Sequence, residues 1–370
     1  MTKLFFRTGD PKDPGEKSVY SSSGEFLEIR SKELMIEMAD VLCLGELLVD
    51  WVCTTPGAEI KDAVNFTKAP GGAPANTAVG LARQGVSTAF IGRVSKDEFG
   101  LWLKSVLKEN NIDVTCTIED PLAQTRMAYV VTTSEGDRKL ADFTRIACAD
   151  ARLEIEDLDE ELFAGAKVLH FGSISLIENP ARDATKKAVE MAREKGCLIS
   201  YDPNVRLSLW PDPQQCKTTI LQSLPWADIV KINEVELEFL TGGKELAQAE
   251  ALREEMNIPL LIITLDSRGA FFATERHSKI VSGFQIELVE ATGAGDGFNA
   301  GVIRGLLKHV KESPDRRAAL KSLEESEMEA IIRTANGVGA LACTKAGAIP
   351  ALPSQEELDR FLSTSKVSAN

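Results

Sequence analysis

Cysteine and histidine are scarce as candidate metal ligands in this chain. Its seven cysteines include no Cys-x-x-Cys pair, and only three histidines are present. Structural zinc sites and disulfide frameworks need such residues at close, regular spacing, so both are disfavoured. The cysteine pattern therefore predicts a reducing compartment.

Long apolar runs and an excess of positive charge are also missing. No run approaches the length of about 18 apolar residues that a membrane helix requires. The net charge is −14, which opposes binding to nucleic acid or to an anionic membrane and favours a neutral substrate. The first forty residues lack the apolar segment of a secretory signal. We expect no nucleic-acid partner, no membrane and a cytoplasmic location, with a plastid location left open.

Three common enzyme motifs are absent. There is no G-x-x-x-x-G-K-[ST] segment, which disfavours a P-loop kinase or ATPase. The alternating glycines at 293, 295 and 297 lack the spacing of the dinucleotide fingerprint and follow at least five strand and helix units, which disfavours a nicotinamide-dependent enzyme. No G-x-S-x-G segment appears, which lowers the case for a serine hydrolase.

The sequence does contain a glycine-rich turn that leads into an apolar stretch with helical character. Gly293, Ala294 and Gly295 stand directly before Asp296. Amides at a helix N-terminus carry partial positive charge and stabilise anions, and an ionised aspartate there can accept a proton from an attacking hydroxyl. The alternative is a glycine turn whose aspartate only caps the helix.

Two segments nearer the N-terminus carry candidate binding residues. The apolar residues 41–44 predict a strand buried on both faces, and Asp50 is expected where the strand emerges. Residues 70–76 then open a helix, with two glycines that bring the backbone close to a ligand and Asn76 facing that gap. A turn-forming role for Asp50 and tight helix packing at the glycines are the alternatives.

A hairpin interrupts the alternation of strands and helices. Residues 125–133 and 138–143 are strand-like, and they flank the turn sequence at 134–137. A hairpin that protrudes from an α/β core makes a natural lid, and Arg145 just beyond it could reach into a cleft beneath. A solvated surface arginine is the alternative.

From residue 167 onward, strand and helix signals alternate regularly. The pattern predicts one α/β domain of three layers with a mainly parallel sheet. Polar side chains follow the C-terminal ends of successive strands, where open parallel sheets bind ligands. These polar residues are Asn204 and Arg206, Asn233 and Glu236, and the segment 265–269.

The combination of features favours phosphoryl transfer to a hydroxyl. That reaction needs an activated hydroxyl, stabilisation of the γ-phosphoryl charge and a metal-bound nucleotide. Asp296 can supply the first and the amides of residues 293–295 the second. Asn233 and Glu236, acting through Mg²⁺-bound waters, can supply the third.

These segments together resemble the PfkB (ribokinase-like) carbohydrate kinases, and among them most the bacterial and plant fructokinases. The resemblance runs from about residue 41 to residue 353. The motifs that carry it are Gly-Glu-Leu-Leu-Val-Asp at 45–50, Ala-Pro-Gly-Gly-Ala-Pro-Ala-Asn at 69–76, Ile-Gly-Arg-Val-Ser-Lys-Asp-Glu-Phe-Gly at 91–100, His-Phe-Gly-Ser-Ile-Ser at 170–175, Tyr-Asp-Pro-Asn-Val-Arg at 201–206, Asn-Glu-Val-Glu at 233–236, Thr-Gly-Ala-Gly-Asp at 292–296 and Gly-Ala-Ile-Pro-Ala-Leu-Pro at 347–353.

The resemblance implies a ribokinase-like fold, a three-layer αβα sandwich with a mainly parallel central sheet and a small β lid. The kinase domain is expected at 39–365, with lid segments near 51–70 and 124–147, after a flexible extension at 1–38. The implied activity is transfer of the γ-phosphoryl of MgATP to the 6-hydroxyl of D-fructose. A homodimer through the lid is also implied.

The same resemblance assigns roles to individual residues. Those expected to hold the sugar are Asp50, Gly72, Asn76 and Arg145. Those expected to act in catalysis are Asp296 as base, with Gly293, Ala294 and Gly295 as the anion hole. Those expected near the nucleotide are Asn204, Arg206, Asn233, Thr264, Gly269 and Asn336, with Glu236 contacting Mg²⁺ through water. A monovalent cation, K⁺, often accompanies the anion hole in this family.

Several positions depart from the family pattern. Glu290-Ala291 stands where Asp-Thr is usual, Asp266 replaces a glycine, and Ile146 replaces an asparagine after Arg145. The first change predicts weak activation by K⁺. The departures leave two alternatives to a fructokinase, namely a kinase for another sugar, sugar acid or nucleoside, and a fructokinase-like scaffold protein.

Overall fold

A computed structural model describes residues 38–133 and 138–365, together with three short strands nearer the N-terminus. The chain divides into two units, Met1–Met38 and Ala39–Asn370. In the first unit, β1 (Phe5–Phe6), β2 (Val19–Tyr20) and β3 (Phe26–Leu27) pair antiparallel in chain order. The flexibility predicted for residues 1–38 stays a prediction.

The second unit is built on a nine-stranded sheet. Seven neighbouring strands are parallel, and two more strands extend one edge of the sheet by antiparallel pairing. This confirms the mainly parallel sheet predicted from the sequence. In spatial order the strands are β16 (Ser278–Ser282), β15 (Gly269–Ala273), β14 (Leu260–Thr264), β13 (Ile229–Asn233), β12 (Leu198–Asp202), β11 (Val168–Gly172), β4 (Val41–Leu44), β7 (Thr88–Ser95) and β8 (Thr117–Asp120).

Both faces of this sheet are buried, as continuous apolar strands require. In β4, Leu42 and Leu44 belong to one hydrophobic cluster, while Val41 and Cys43 belong to the other. Helices cover each face, which confirms the three-layer αβα sandwich. On one face lie α3 (Glu160–Gly165), α4 (Ala181–Glu194), α5 (Pro213–Ser223), α6 (Glu234–Thr241) and α7 (Leu246–Glu255). On the other lie α1 (Ala73–Arg83), α2 (Glu98–Glu109), α8 (Ala294–Val310), α9 (Arg316–Ser322), α10 (Glu325–Ala342) and α11 (Ala348–Ala351).

The last helix, α12 (Gln355–Thr364), packs on α10. A side chain at Gly337 of α10 would meet Leu362 and Leu358 of α12, so the two helices approach closely at this glycine. Among the helices of the described residues, none is both long and apolar enough to cross a membrane.

A separate four-stranded sheet forms the small β lid. Its spatial order is β10 (Arg138–Phe143), β9 (Met127–Thr132), β5 (Leu48–Cys53) and β6 (Phe66–Gly71). The predicted hairpin is present as the antiparallel pair β9 and β10, and its turn at 134–137 lies outside the described residues. Asp50 was expected where the first strand of the core emerges. It lies instead within β5, opposite Ala69 of β6, because the chain bends at Gly45 and starts a second strand at Leu48.

Candidate active site

The glycine-rich turn forms the start of α8. Gly293 has φ of 83°, a left-handed conformation that favours glycine, and a side chain there would lie 2.9 Å from the Cα of Ala348. The helix begins at Ala294, whose amide donates to the carbonyl of Ala291 at 3.2 Å. Helix geometry leaves the next two amides, of Gly295 and Asp296, without a carbonyl one turn earlier. The turn thus presents outward-facing donors where an anion can bind.

Asp296 lies in the first turn of α8 with 9% of its surface exposed. Its Oδ2 accepts a hydrogen bond from Nδ2 of Asn76 at 2.8 Å, and its main-chain oxygen accepts one from the Thr77 hydroxyl at 3.4 Å. Burial raises the pKa of Asp296 to about 6, with the nearby Asp202 acting in the same direction and the Asn76 bond opposing it. The carboxylate is therefore ionised at neutral pH yet basic enough to accept a proton.

Of the predicted sugar residues, Asp50 lies in β5 of the lid, Gly72 directly precedes α1, and Asn76 lies in the first turn of α1. A side chain at Gly71 would collide with the carboxylate of Asp50, and one at Gly72, where φ is 110°, would collide with the main chain of Glu46. Four residues later Asn76 points to Asp296. Gly71 thus lets the Asp50 carboxylate lie against the chain just before α1, the helix that carries Asn76.

Arg145 lies at the surface beside a small cavity, which Arg126 also lines. Its guanidinium is exposed, forms an ion pair with Asp142 at 2.7 Å and donates through Nε to the carbonyl of Ser208 at 3.1 Å. The neighbouring Arg126 is buried and pairs with Asp150 at 2.8 Å. A contact between Arg145 and a sugar stays a prediction.

Glu236 holds together two of the loops predicted to face the phosphates. Its Oε1 accepts from the amide of Val205 at 2.7 Å, and its Oε2 accepts from the amide of Asn233 at 2.9 Å. Asn233 caps α6 in return, because its Oδ1 accepts from the Glu236 amide at 2.9 Å. Burial, followed by the proximity of Asp202, raises the pKa of Glu236.

Asn204 and Arg206 lie in the loop that Glu236 anchors. Asn204 adopts a left-handed conformation with φ of 44°, which asparagine tolerates better than most residues. Arg206 is half-buried, and its Nη1 donates to the carbonyls of Val205 at 3.1 Å and Asn204 at 3.4 Å. Both residues stand at the C-terminal edge of the sheet, where the sequence placed them.

Three of the residues predicted near the nucleotide, namely Thr264, Gly269 and Asn336, lie in or against β14 to β16. Gly269 has φ of 103°, and a side chain there would collide with the main chain of β16. Asn336 of α10 donates to the carbonyls of Val281 at 2.9 Å and Ser282 at 3.2 Å. Thr264 ends β14 beside Asn233 of β13. Gly269 and Asn336 thus shape this edge of the sheet, and contacts with a nucleotide stay predictions.

The structure describes the surroundings of two residues that depart from the family pattern, Asp266 and Glu290. Asp266 is exposed with φ of 51°, which is the conformation that glycine adopts at low cost. Glu290 is buried, and its Oε2 accepts from the amide of Gly347 at 2.8 Å. The longer carboxylate thus links the segment before α8 to the segment before α11.

A buried network beside Asp296 was not predicted from the sequence. Asp202, at the end of β12, accepts from Nζ of Lys231 at 2.9 Å and from Nδ2 of Asn299 at 2.7 Å through Oδ2. Its Oδ1 accepts from the amide of Asn204 at 3.1 Å. Burial lowers the pKa of Lys231, but Asp202 and other carboxylates outweigh it and hold that pKa above its usual value. A lysine inside the apolar run of β13 was the signal in the sequence.

Glu46 is a second buried carboxylate whose role was not predicted from the sequence. Its Oε1 accepts from the amide of Ala73, the first residue of α1, at 2.9 Å. Burial raises the pKa of Glu46 to about 7. Glu46 fixes the start of the helix that carries Asn76.

Comparison with known proteins identifies relatives across nearly the whole second unit. The model of the pfkB family carbohydrate kinases matches residues 38–355. The chain is 43% identical over 324 residues to probable fructokinase-6, chloroplastic, of Arabidopsis thaliana, covering 87% of this chain and 82% of that protein. It is 39% identical over 323 residues to fructokinase-1 of Oryza sativa subsp. japonica, covering 87% and 97%.

Solved structures of fructokinases are also similar to this chain. A double mutant of the fructokinase from Vibrio cholerae O395, bound to fructose, ADP and a potassium ion, is 33% identical with a TM-score of 0.74, covering 88% of this chain and 98% of that one. The fructokinase from Xylella fastidiosa with bound ATP is 27% identical with a TM-score of 0.78, covering 87% and 98%.

Proposed function

The chain belongs to the pfkB family of carbohydrate kinases, and from that premise we propose that it is an ATP-dependent fructokinase. It transfers the γ-phosphoryl of ATP to the 6-hydroxyl of D-fructose. The observation that carries the proposal is Asp296, a buried carboxylate at the amino end of α8 that Asn76 orients at 2.8 Å. Relatives named fructokinase, at about 40% identity over most of the chain, support the choice of sugar.

The sugar is held where the lid meets α1. Asp50 and Asn76 bind hydroxyl groups, and Gly72 lets the ligand approach the main chain. Arg145 contributes a further donor from the lid side, beside its ion pair with Asp142. Neutral hydroxyls suit this set because the Asp50 carboxylate accepts hydrogen bonds from them, and the Asn76 amide both accepts and donates.

ATP lies along the C-terminal edge of the sheet. Its γ-phosphoryl faces Gly293, Ala294 and Gly295 at the start of α8. The rest of the nucleotide follows the edge toward β16, and the residues beside it are Asn204, Arg206, Asn233, Thr264, Gly269 and Asn336. Support comes from their common position at this edge, where open α/β sheets bind ligands.

The donor set fits Mg²⁺ held through water. No group of three or more candidate ligands lies together in the described part of the chain, which suits an ion bound mainly by phosphates and water. Glu236 contributes remaining lone pairs, because each of its oxygens accepts one backbone hydrogen bond. The ion, when bound, neutralises charge that develops on the phosphates.

In the transfer, Asp296 accepts the proton of the attacking hydroxyl as the new oxygen–phosphorus bond forms and the bond to ADP breaks. Its raised pKa makes it a better base than an exposed aspartate. The amides at the start of α8 stabilise the phosphoryl charge. Asn76 keeps the carboxylate pointed at the reacting hydroxyl.

Three further features belong to the proposal. We expect little dependence on K⁺, because Glu290 is engaged with the Gly347 amide. We expect a homodimer that pairs through the lid sheet. We expect a cytoplasmic location, with a plastid location open because one relative is named chloroplastic.

The test is a coupled assay of ADP release with MgATP and a panel of fructose, ribose, glucose, adenosine and 2-keto-3-deoxygluconate. ADP release that depends on fructose and exceeds release with the other compounds supports the proposal. A preference for another compound would keep the kinase and reassign the sugar. No release with any compound, from protein shown to be folded by circular dichroism, would favour the scaffold alternative.

A further inference from the structure

Lys231 occupies an unusual place for a lysine. It lies inside β13, between apolar neighbours, and only 7% of its surface is exposed. Burial of an ammonium group costs several kcal/mol unless close partners compensate it. The partner is Asp202, whose Oδ2 lies 2.9 Å from Nζ. The chain thus maintains a buried ion pair within its parallel sheet.

The ammonium group of Lys231 lies against the start of α8. A side-chain Cβ built at Gly295 would be 3.0 Å from Nζ of Lys231. Gly295 does not have the positive φ that would by itself call for glycine. Glycine at position 295 is therefore explained by the space that the lysine side chain needs, and not by an unusual backbone conformation. Nζ faces the same backbone turn that presents amides to an anion.

Asp202 fixes this arrangement from both sides. The same Oδ2 that accepts from Lys231 also accepts from Asn299 at 2.7 Å, and Asn299 lies one turn after Gly295 on α8. The carboxylate thus ties β13 to α8. An ammonium group has three N–H donors, and the hydrogen bond to Asp202 uses one of them.

The charge of the site calls for such a cation. Asp202, Asp296 and Glu236 are all buried carboxylates in this region. Arg206 is another cation near Asp296, and its Nη1 already donates to two main-chain carbonyls. Three carboxylates would repel a polyphosphate unless a fixed positive charge stood between them and the anion.

We propose that Lys231 is a further catalytic residue, whose Nζ donates a hydrogen bond to the γ-phosphoryl group across Gly295. This rests on the proposed kinase function. As the γ-phosphoryl group moves from ATP to the sugar oxygen and ADP is released, the sugar proton goes to Asp296. Lys231 keeps its own proton and stays paired with Asp202 throughout.

The experiment separates this contact from a structural role by comparing two nucleotides. Titration calorimetry measures binding of ADP and of the imido analogue of ATP, each with Mg²⁺, to the wild type and to Lys231→Met. A contact with the γ-phosphoryl group predicts at least roughly tenfold weaker binding of the analogue, because a charge-assisted hydrogen bond is lost, and less than about threefold change for ADP. Turnover is expected to fall by about a hundredfold or more.

Two further variants keep the test interpretable. Lys231→Met leaves Asp202 as an unpaired buried charge, so Lys231→Met with Asp202→Asn provides a neutral version if the single variant does not fold. Lys279→Met is the matched control, since Lys279 lies in the edge strand β16 and forms exposed ion pairs with Glu325 and Glu329. The control is expected to bind both nucleotides as the wild type does.

The results distinguish the inference from the function on which it rests. Equal binding losses for ADP and the analogue, or none for either, would overturn the role of Lys231 while leaving the kinase intact. A wild type that binds neither nucleotide would overturn the proposed function, and this inference with it. Weaker binding of the imido analogue, with little change in ADP binding, in either Lys231 variant supports the contact between Lys231 and the γ-phosphoryl group.

Discussion

The hydrogen bond from Asn76 to Asp296 should set the acid limb of the pH–rate profile. Replacement of Asn76 by alanine removes a donor that stabilises the ionised carboxylate and lowers its pKa. A hydrogen bond to a charged group contributes about 1.5–3 kcal/mol. Since one pKa unit corresponds to about 1.4 kcal/mol, the pKa of Asp296 should rise by about one unit or more.

The assay is kcat/KM for fructose, measured between about pH 5 and pH 9 by coupled ADP release. The base must be ionised, so activity rises with pH through the pKa of Asp296. The midpoint of this rise is expected near pH 6 for the wild type, from the pKa of about 6. For Asn76→Ala it should move upward by about one unit or more.

The control is Thr77→Val, because the Thr77 hydroxyl donates to the main-chain oxygen of Asp296, which does not titrate. Its midpoint should stay near that of the wild type. Asn76→Ala should also lower kcat/KM at every pH, since Asn76 is proposed to bind the sugar. A fall in kcat/KM with no movement of the midpoint would refute the electrostatic part of the reasoning.

Three other predictions follow from the structure. Activity should change little in a KCl titration against choline chloride, because Glu290 is bound to Gly347, and strong activation would contradict this. Arg126→Met should destabilise the fold by about 3–5 kcal/mol in urea unfolding, because Asp150 is left buried and unpaired, and a loss below about 1 kcal/mol would contradict it. Asp296→Asn should stabilise the fold at pH 8 by up to about 3 kcal/mol, because burial raises the carboxyl pKa from 3.8 to about 6 and so makes the ionised form costly in the folded protein. This gain in stability should vanish below pH 4, where the carboxyl group is protonated in both states. A gain that does not depend on pH would contradict the prediction.

The core strands were predictable because each is a short apolar run with both faces buried. Residues 41–44, for example, form β4 as expected. The glycine-rich start of α8 was also predictable, because a left-handed glycine before an apolar helix leaves few other local structures. In both cases the information is local in the sequence.

The position of Asp50 was less predictable because it depends on strand pairing. Residues 47–50 read equally well as the end of the first strand, and pairing with Ala69 of β6 decides that Asp50 belongs to the lid. The partners of Arg145 were unpredictable for the same reason, since Ser208 lies 63 residues away along the chain. Single-sequence patterns do not specify such distant contacts.

The network of Asp202, Lys231 and Asn299 shows a third limit. Each residue is visible in the sequence as a polar side chain in an apolar environment, but only the packing of β12, β13 and α8 shows that they share one oxygen. A lysine within a buried strand indicates that a partner must exist. The sequence does not say which of many carboxylates it is.

The most direct test of the central claim is the turnover of Asp296→Asn with saturating MgATP and fructose, together with its KM for fructose. If Asp296 is the general base, turnover falls by about a hundredfold or more while the KM for fructose changes little, since the proton transfer occurs in the transition state. Turnover near that of the wild type would remove Asp296 from the mechanism.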